Sequence, residues 1–264
     1  MSTRKLLTSA TLLFLLFLVG CKAEEGPAPS VAEEPQATPA GPPVELATAA
    51  TLTGKVIYQD GKPRRRRIRM DADAACVRLH RGRVFSQQVV VNDNGTLRYV
   101  LVYIKEGLGN RAFPTPKEPV VLDQKGCVYS PHVVGAQTNQ EIQILNSDPT
   151  THNIHPVPRV NREWNTSMPP GADKLIRKFP REEVAIPVKC NIHPWMRSYI
   201  AVLKHPYFAV SGEDGSFEIK NLPPGDYTLA AWQEKYGTVE QKITVGPKET
   251  KTVEFVFSPR GAGD

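Results

Sequence analysis

Sulfur is scarce in this chain: four cysteines and four methionines among 264 residues. No two cysteines form a Cys-x-x-Cys pair. That excludes the usual ligand pattern of structural zinc sites and the Cys-x-x-Cys-His signature of covalently attached haem. No glycine-rich phosphate loop and no nucleophile–histidine–carboxylate arrangement is evident, so an enzyme is not expected. Helical periodicity is missing after residue 49. Beyond the first 21 residues no apolar run is long enough to span a bilayer. Charge of one sign is also modest: the formal balance is +6, and falls to +4 without Arg4 and Lys5. Nucleic acid is not an expected partner.

The first 21 residues read as an export signal. Arg4 and Lys5 supply the positive start, and Leu6 to Val19 the apolar stretch. The stretch ends in Leu18-Val19-Gly20-Cys21, which is similar to the lipobox of bacterial lipoproteins. That resemblance implies acylation of Cys21, a membrane tether and a place in the cell envelope, periplasmic or at the outer membrane or cell surface. Residues 22–48 are rich in proline, alanine and glutamate and cannot bury enough apolar surface to fold. They read as an extended tether.

Residues 49–264 allow one large or two small domains. Short runs of Val, Ile, Thr and Tyr alternate with turn residues, the pattern of all-β sandwiches. Asp60-Gly61, Asn94-Gly95 and Asp214-Gly215 are hairpin-type signals. A basic run, Arg64-Arg65-Arg66-Arg67-Ile68-Arg69, reads either as a solvated edge or as a docking patch for an acidic redox partner or anionic lipid headgroups.

The densest chemistry lies in Cys190-Asn191-Ile192-His193-Pro194-Trp195-Met196. An extended chain would place Cys190 and Met196 roughly 20 Å apart at about 3.3 Å per residue. A thiolate, an imidazole and a thioether meet at one point only if this stretch is a tight loop. Pro194 restricts itself and His193 and helps to hold one. Val184–Val188 and Tyr199–Leu203 read as flanking strands. A further imidazole comes from His152 or His155. Three positions apart, they face opposite sides of a strand, so at most one reaches the loop. Two His, one Cys and a weak Met form the donor set of a mononuclear electron-transfer copper site. A binuclear centre would need a second cysteine close to Cys190, and none is present.

These residues carry a resemblance. The segment 119–206 resembles the cupredoxin family of blue-copper proteins, a Greek-key β-sandwich. Its Cys-x-x-His-x-x-Met loop is similar to the amicyanin-like branch. Val121–Pro131 resembles the opening strand, and Glu141–Asp148 the strand before the first ligand. The resemblance implies copper held by His152, Cys190, His193 and Met196. It implies that Asn153 hydrogen-bonds toward the Cys loop and that the His193 ring edge, where it reaches the surface, is the electron port. Pro194 supports the loop, and Trp195 would line the contact patch, shield the copper or simply pack. Ser211–Ile219 and Leu222–Leu229 resemble carboxypeptidase-regulatory-like modules, which are transthyretin-like sandwiches, and Thr53–Gly61 looks like the start of one. The expectation is one such sandwich split between 49–118 and 207–258, with the cupredoxin inserted. Cys76 and Cys127, left unassigned, would pair as a disulfide outside the cytoplasm. The alternative is a second metal site using Cys76 with His80 or Cys127 with His132.

The leading expectation is therefore a lipid-tethered type 1 copper protein. It would exchange electrons with a protein partner: a cytochrome, dehydrogenase or oxidase. Copper delivery or storage would use the same ligands, although the scarcity of Met disfavours it. A non-redox binding module on the cell surface would need exposed aromatics, for which Trp232 and Tyr236 are candidates.

Overall fold

The computed structural model describes residues 45–59 and 61–259. Cys21, the apolar leader and most of the tether lie outside them. The elements in chain order are β1 (Ala50–Tyr58), the short helix α1 (Ala74–Arg78), β2 (Val90–Val91), β3 (Leu97–Arg98), β4 (Leu101–Glu106) and β5 (Val120–Gln124). Then come β6 (Tyr129–Ser130), β7 (Val133–Gln137), β8 (Ile142–Asn146), β9 (His152–Pro156), β10 (Thr166–Met168) and β11 (Leu175–Arg177). The last are β12 (Glu183–Lys189), β13 (Arg197–Leu203), β14 (Phe208–Val210), β15 (Ser216–Leu222), β16 (Gly225–Gln233), β17 (Gly237–Val245) and β18 (Thr250–Phe257). No helix among the described residues is long and apolar enough to cross a membrane.

The protein is all-β, and its strands surround two main cores. In the first sandwich, a sheet ordered β15-β1-β18 faces a sheet ordered β14-β4-β16-β17. Strand β1 alternates buried and more open residues, so Leu52, Val56 and Tyr58 point inward together. They meet Phe217, Leu229, Phe255 and Phe257 in a core made of hydrocarbon and aromatic rings. Strand β1 pairs antiparallel with β15 and parallel with β18, Thr51 lying opposite Thr250. Both ends of the described chain thus build one sandwich.

The second sandwich sets the sheet β10-β9-β12-β13-β7 against β11-β8-β5-β6. Its core gathers Leu122, Ile144, Ile154, Ile186 and Ile200, and also Met70 and Cys76 from the segment around α1. That segment precedes β2 in the chain, yet it packs on the second core. Strand β13 is buried on both faces after its first turn. Its outer face joins a small third cluster in which Leu101 of the first sandwich meets Val133 and Ala201 of the second. Contact there is close. A Cβ on Gly135 would lie 2.5 Å from the Phe208 ring, so only glycine fits.

The one α-helix among the described residues is short: Asp73 caps α1 by accepting from Ala75 N and Cys76 N at 2.7 and 3.3 Å. At five residues it is too short to show a periodicity. Asp214-Gly215 makes a turn, but β14 and β15 on either side of it belong to different sheets. Asn94-Gly95 does close a hairpin, between β2 and β3. Asp60 lies outside the described residues.

Candidate metal centre

Two elements of the second sandwich deliver the donors. Strand β9 points His152 into the core, where it is 0% exposed, while His155 faces the other way. There His155 bonds Asn191 Oδ1 at 3.1 Å and Glu163 Oε1 at 2.6 Å. The link between β12 and β13 supplies Cys190 and His193, 3% and 2% exposed. Backbone bonds from Cys190 N to Met196 O (3.3 Å) and from Met196 N to His193 O (2.9 Å) fold this link into a tight loop. Met196 is fully buried in the same core as Cys190, and Pro194 is an exposed corner.

The Asn153 side chain holds the loop from below. Its Oδ1 accepts from Asn191 N at 2.8 Å, Ile192 N at 3.3 Å and the Cys190 thiol at 3.4 Å. Its Nδ2 donates to Asn165 Oδ1 at 2.7 Å.

The donors converge. His152 Nδ1 lies 2.9 Å from His193 Nδ1, and Cys190 Sγ lies 3.8 Å from His193 Nδ1. One ligand atom from each of the three residues falls within 4.8 Å of the others. First-row ions such as zinc bind nitrogen at about 2.0 Å and sulfur at about 2.3 Å, which places donors around one ion on the order of 3 to 4 Å apart. The observed spacings fit.

Two carboxylates, Asp148 and Asp73, fix which ring nitrogens face inward. His152 Nε2 is 2.9 Å from Asp148 Oδ2, and His193 Nε2 is 2.9 Å from Asp73 Oδ2. A carboxylate can only accept, so each Nε2 carries its proton. Each neutral ring then presents an Nδ1 lone pair toward the other. Two lone pairs this close in a dry core repel one another unless a cation joins them. The chain on its own supplies a proton. Burial works against charging His152, but Asp148 and Cys190 outweigh it and push its pKa up to about 9. Burial likewise opposes ionising Cys190, yet the bonds from His152 and the loop bring its pKa down to about 7. A buried imidazolium beside a near-thiolate is a site whose proton a metal ion displaces.

The carboxylates are themselves anchored. Asp148 also accepts from Gly126 N and Cys127 N at 2.6 and 2.7 Å. Asp73 also accepts from Thr150 Oγ1 at 3.2 Å, and its bond to His193 is the main cause that holds its pKa down to about 2. Cys76 and Cys127 form a disulfide, Cα atoms 5.6 Å apart, which fastens α1 onto the turn that grips Asp148. Carboxylate partners of this kind set the tautomer and direction of the two imidazole rings.

Sequence reasoning missed Asp73 and Asp148. A faint signal exists for each: an Asp before Ala-Ala as a helix cap, and an Asp four residues ahead of His152. The second-site alternative fails, because both cysteines are in the disulfide. His80 Nε2 pairs with Gly126 O at 2.8 Å and His132 Nε2 with Glu234 Oε1 at 2.5 Å.

The exposed His193 ring edge expected for an electron port is absent. The His193 ring does not reach the surface, because Asp73 and Cys76 cover its Nε2 edge and Trp195 packs on it with ring centroids 5.0 Å apart. Trp232 and Tyr236 are not surface aromatics either. Trp232 packs on Tyr199 between the sandwiches, and the Tyr236 hydroxyl meets that of Tyr58 at 2.9 Å in the first core.

Residues 200–258 match the carboxypeptidase regulatory-like domain, a match that begins within β13. No curated protein matches the chain. Solved structures with related form include a copper-containing nitrite reductase from Thermus scotoductus, 18% identical, TM-score 0.30, covering 37% of this chain and 25% of that one. This chain thus spans about a quarter of the reductase. A purple cupredoxin from Nitrosopumilus maritimus is 19% identical, TM-score 0.27, over 31% of this chain and 98% of its own. An oxidised amicyanin variant is 21% identical, TM-score 0.29, over 32% and 81%. The chemistry at the site is carried by the donor geometry, not by these likenesses.

Proposed function

We propose that this chain is a mononuclear copper protein of the type 1 kind, which carries electrons outside the cytoplasm. The observation that carries the proposal is the pair of carboxylate-pinned imidazoles whose Nδ1 atoms meet each other and the buried Cys190 Sγ. His152, Cys190 and His193 would be the strong ligands, and Met196, buried beside them, the weak axial one. Bound copper would supply a one-electron couple.

The chain's own residues keep that couple in one geometry. Asp148 and Asp73 hold the two rings, Asn153 holds the loop, and the disulfide closes the cover. All three strong donors are within 3% of full burial, so water is excluded. A stiff, dry site suits electron exchange, because little has to rearrange when charge changes. The same closure disfavours rapid copper hand-over, and so the delivery or storage reading. Tyr236 is buried and Trp232 is half-buried against Tyr199, which weakens the surface-binding reading built on them.

In this reading the chain catalyses no reaction of its own. Its partner is a cytochrome, dehydrogenase or oxidase of the cell envelope. The lipobox-like Leu18–Cys21 supports a lipid anchor there, and the proline-rich 22–48 a tether. The modular reading places the donor-bearing sandwich as an insertion within the carboxypeptidase-regulatory-like one.

The test is a visible and EPR spectrum of residues 22–264 after stoichiometric Cu(II), with Cys190→Ser beside it. The expected result is an intense thiolate-to-copper band that reductant bleaches, oxidant restores and the variant lacks. A colourless protein that binds zinc but no copper would overturn it.

A further inference from the structure

Beside the donor loop a cleft of about 640 Å³ opens to solvent. Its walls include Arg66, Arg67, Arg69 and Arg197, and Pro194 and Trp195 of the loop form one side. All four arginines are exposed. Among the described residues, none of them has a carboxylate within ion-pair distance. The arginine strand is not a loose edge. Ile68 N and Ser86 N bond Val84 O and Arg66 O at 2.9 and 2.8 Å, and Ile68 and Val84 pack on the second core. Arg65 is occupied separately, over the Phe85 ring. Four exposed guanidinium groups without an ion-pair partner therefore line the same cleft as a half-buried indole, whose ring centroid lies 5.0 Å from that of His193.

We propose that this cleft is where the electron partner docks, and that the partner presents a carboxylate-rich protein surface. The inference rests on the electron-carrier reading and supplies the port that the buried His193 edge does not. Guanidinium forks match carboxylates in pairs, and Arg and Trp are the residues that dominate binding energy at protein interfaces. A small free anion fits less well. The cleft lining also includes Glu234, whose carboxylate lies 2.5 Å from His132 Nε2 and opposes a small anion that enters. An extended carboxylate-rich surface can engage several of the exposed arginines at once. With copper held by His152, Cys190, His193 and Met196, His193 and Trp195 would form the path by which one electron passes to the partner, reducing it by one, or returns. No bond forms and no proton moves.

The first arm of the test needs no copper. Metal-free full-length chain is titrated with a deca-glutamate peptide by calorimetry at low and high salt. Binding should weaken with salt and fall about tenfold in the Arg66→Gln/Arg67→Gln/Arg69→Gln triple variant. The control triple, Lys55→Gln/Lys220→Gln/Lys248→Gln, removes the same charge elsewhere and should bind as the parent does. Equal losses in both triples would mean a diffuse field and overturn the proposal. So would monomeric glutamate or phosphate binding as tightly as the peptide.

The second arm uses the copper-loaded protein. Oxidation by the anion hexacyanoferrate(III) should slow about tenfold in the cleft triple and stay near the parent rate in the control. Oxidation by the cation tris(phenanthroline)cobalt(III) should not slow in either. A hexacyanoferrate rate indifferent to the cleft arginines would overturn the port. A protein that takes up no copper would instead sink the electron-carrier reading, while the peptide arm still decides the docking surface.

Discussion

The two sandwiches differ in what they hide. The first buries Leu52, Leu97, Leu229, Phe255 and Phe257 and encloses few polar side chains. The second buries His152, His193, Asn153 and Asp148 in the middle of its core. Apolar burial is worth roughly 25 cal/mol per Å² and tolerates many sequences. A buried titratable group is costly unless every polar atom finds a partner. Around His152 and His193 the partners are present, and each is fixed by another bond. One half is built for stability, and the other spends part of its core on chemistry.

That contrast can be broken from either side. The largest effect should come from Phe255→Ala, in the first core, which should cost about 3–5 kcal/mol of stability in a denaturant melt. The folded fraction should keep the parent's copper spectrum. Cys190→Ser should do the reverse, erasing the spectrum with little change in the melt. If Phe255→Ala changed the spectrum of the folded fraction, the division of labour would be wrong.

A smaller effect comes from the crossing between the sandwiches. His205 is buried and neutral, with Tyr207 N donating to its Nδ1 at 3.2 Å. Burial, offset in part by the Ile104 carbonyl, brings its pKa down to about 4. The unfolded chain titrates near 6.5 and so binds more protons between these values. Stability should therefore fall as pH drops from about 6.5 to about 4, by at most about 3 kcal/mol. Melts of the parent and His205→Gln across that window check it, and the variant should lose that slope.

The smallest effect tests the chemistry half. Asp148→Asn keeps the shape but weakens the grip on His152 Nε2. Metal affinity should drop about 10–100-fold in a chelator competition. An unchanged affinity would show that Asp148 serves only the Gly126–Cys127 turn.

Much of this was legible in the sequence. Alternating β-branched residues around 184–188 and 199–203 mark the strands that bracket the donor loop. The Cys-x-x-His-x-x-Met spacing demands a turn, and β9 does place His152 and His155 on opposite faces. Spacing groups Cys190 with His193 and leaves His152 and His155 as alternatives; the choice of His152 comes from the cupredoxin resemblance, and β9 buries that residue. What was not legible depends on distant packing. Asp73 is 120 residues from His193 and reaches it through the disulfide and the packing that hold α1 over the site. Burial of the His193 edge follows from the same cover. Local sequence around the loop gives no sign of a lid contributed by another part of the chain.

The parallel pairing of β1 with β18 sets an order of events. Thr51 finds Thr250 only after almost the whole chain has emerged. A chain made at roughly 5–20 residues per second holds β1 without its partners for on the order of ten seconds or more. The donor-bearing sandwich, by contrast, has all its strands once residue 203 is out. The inner half can be complete while the outer half is still waiting for its last strand. Losing the final dozen residues would leave β1 with an open edge and a ready template for aggregation.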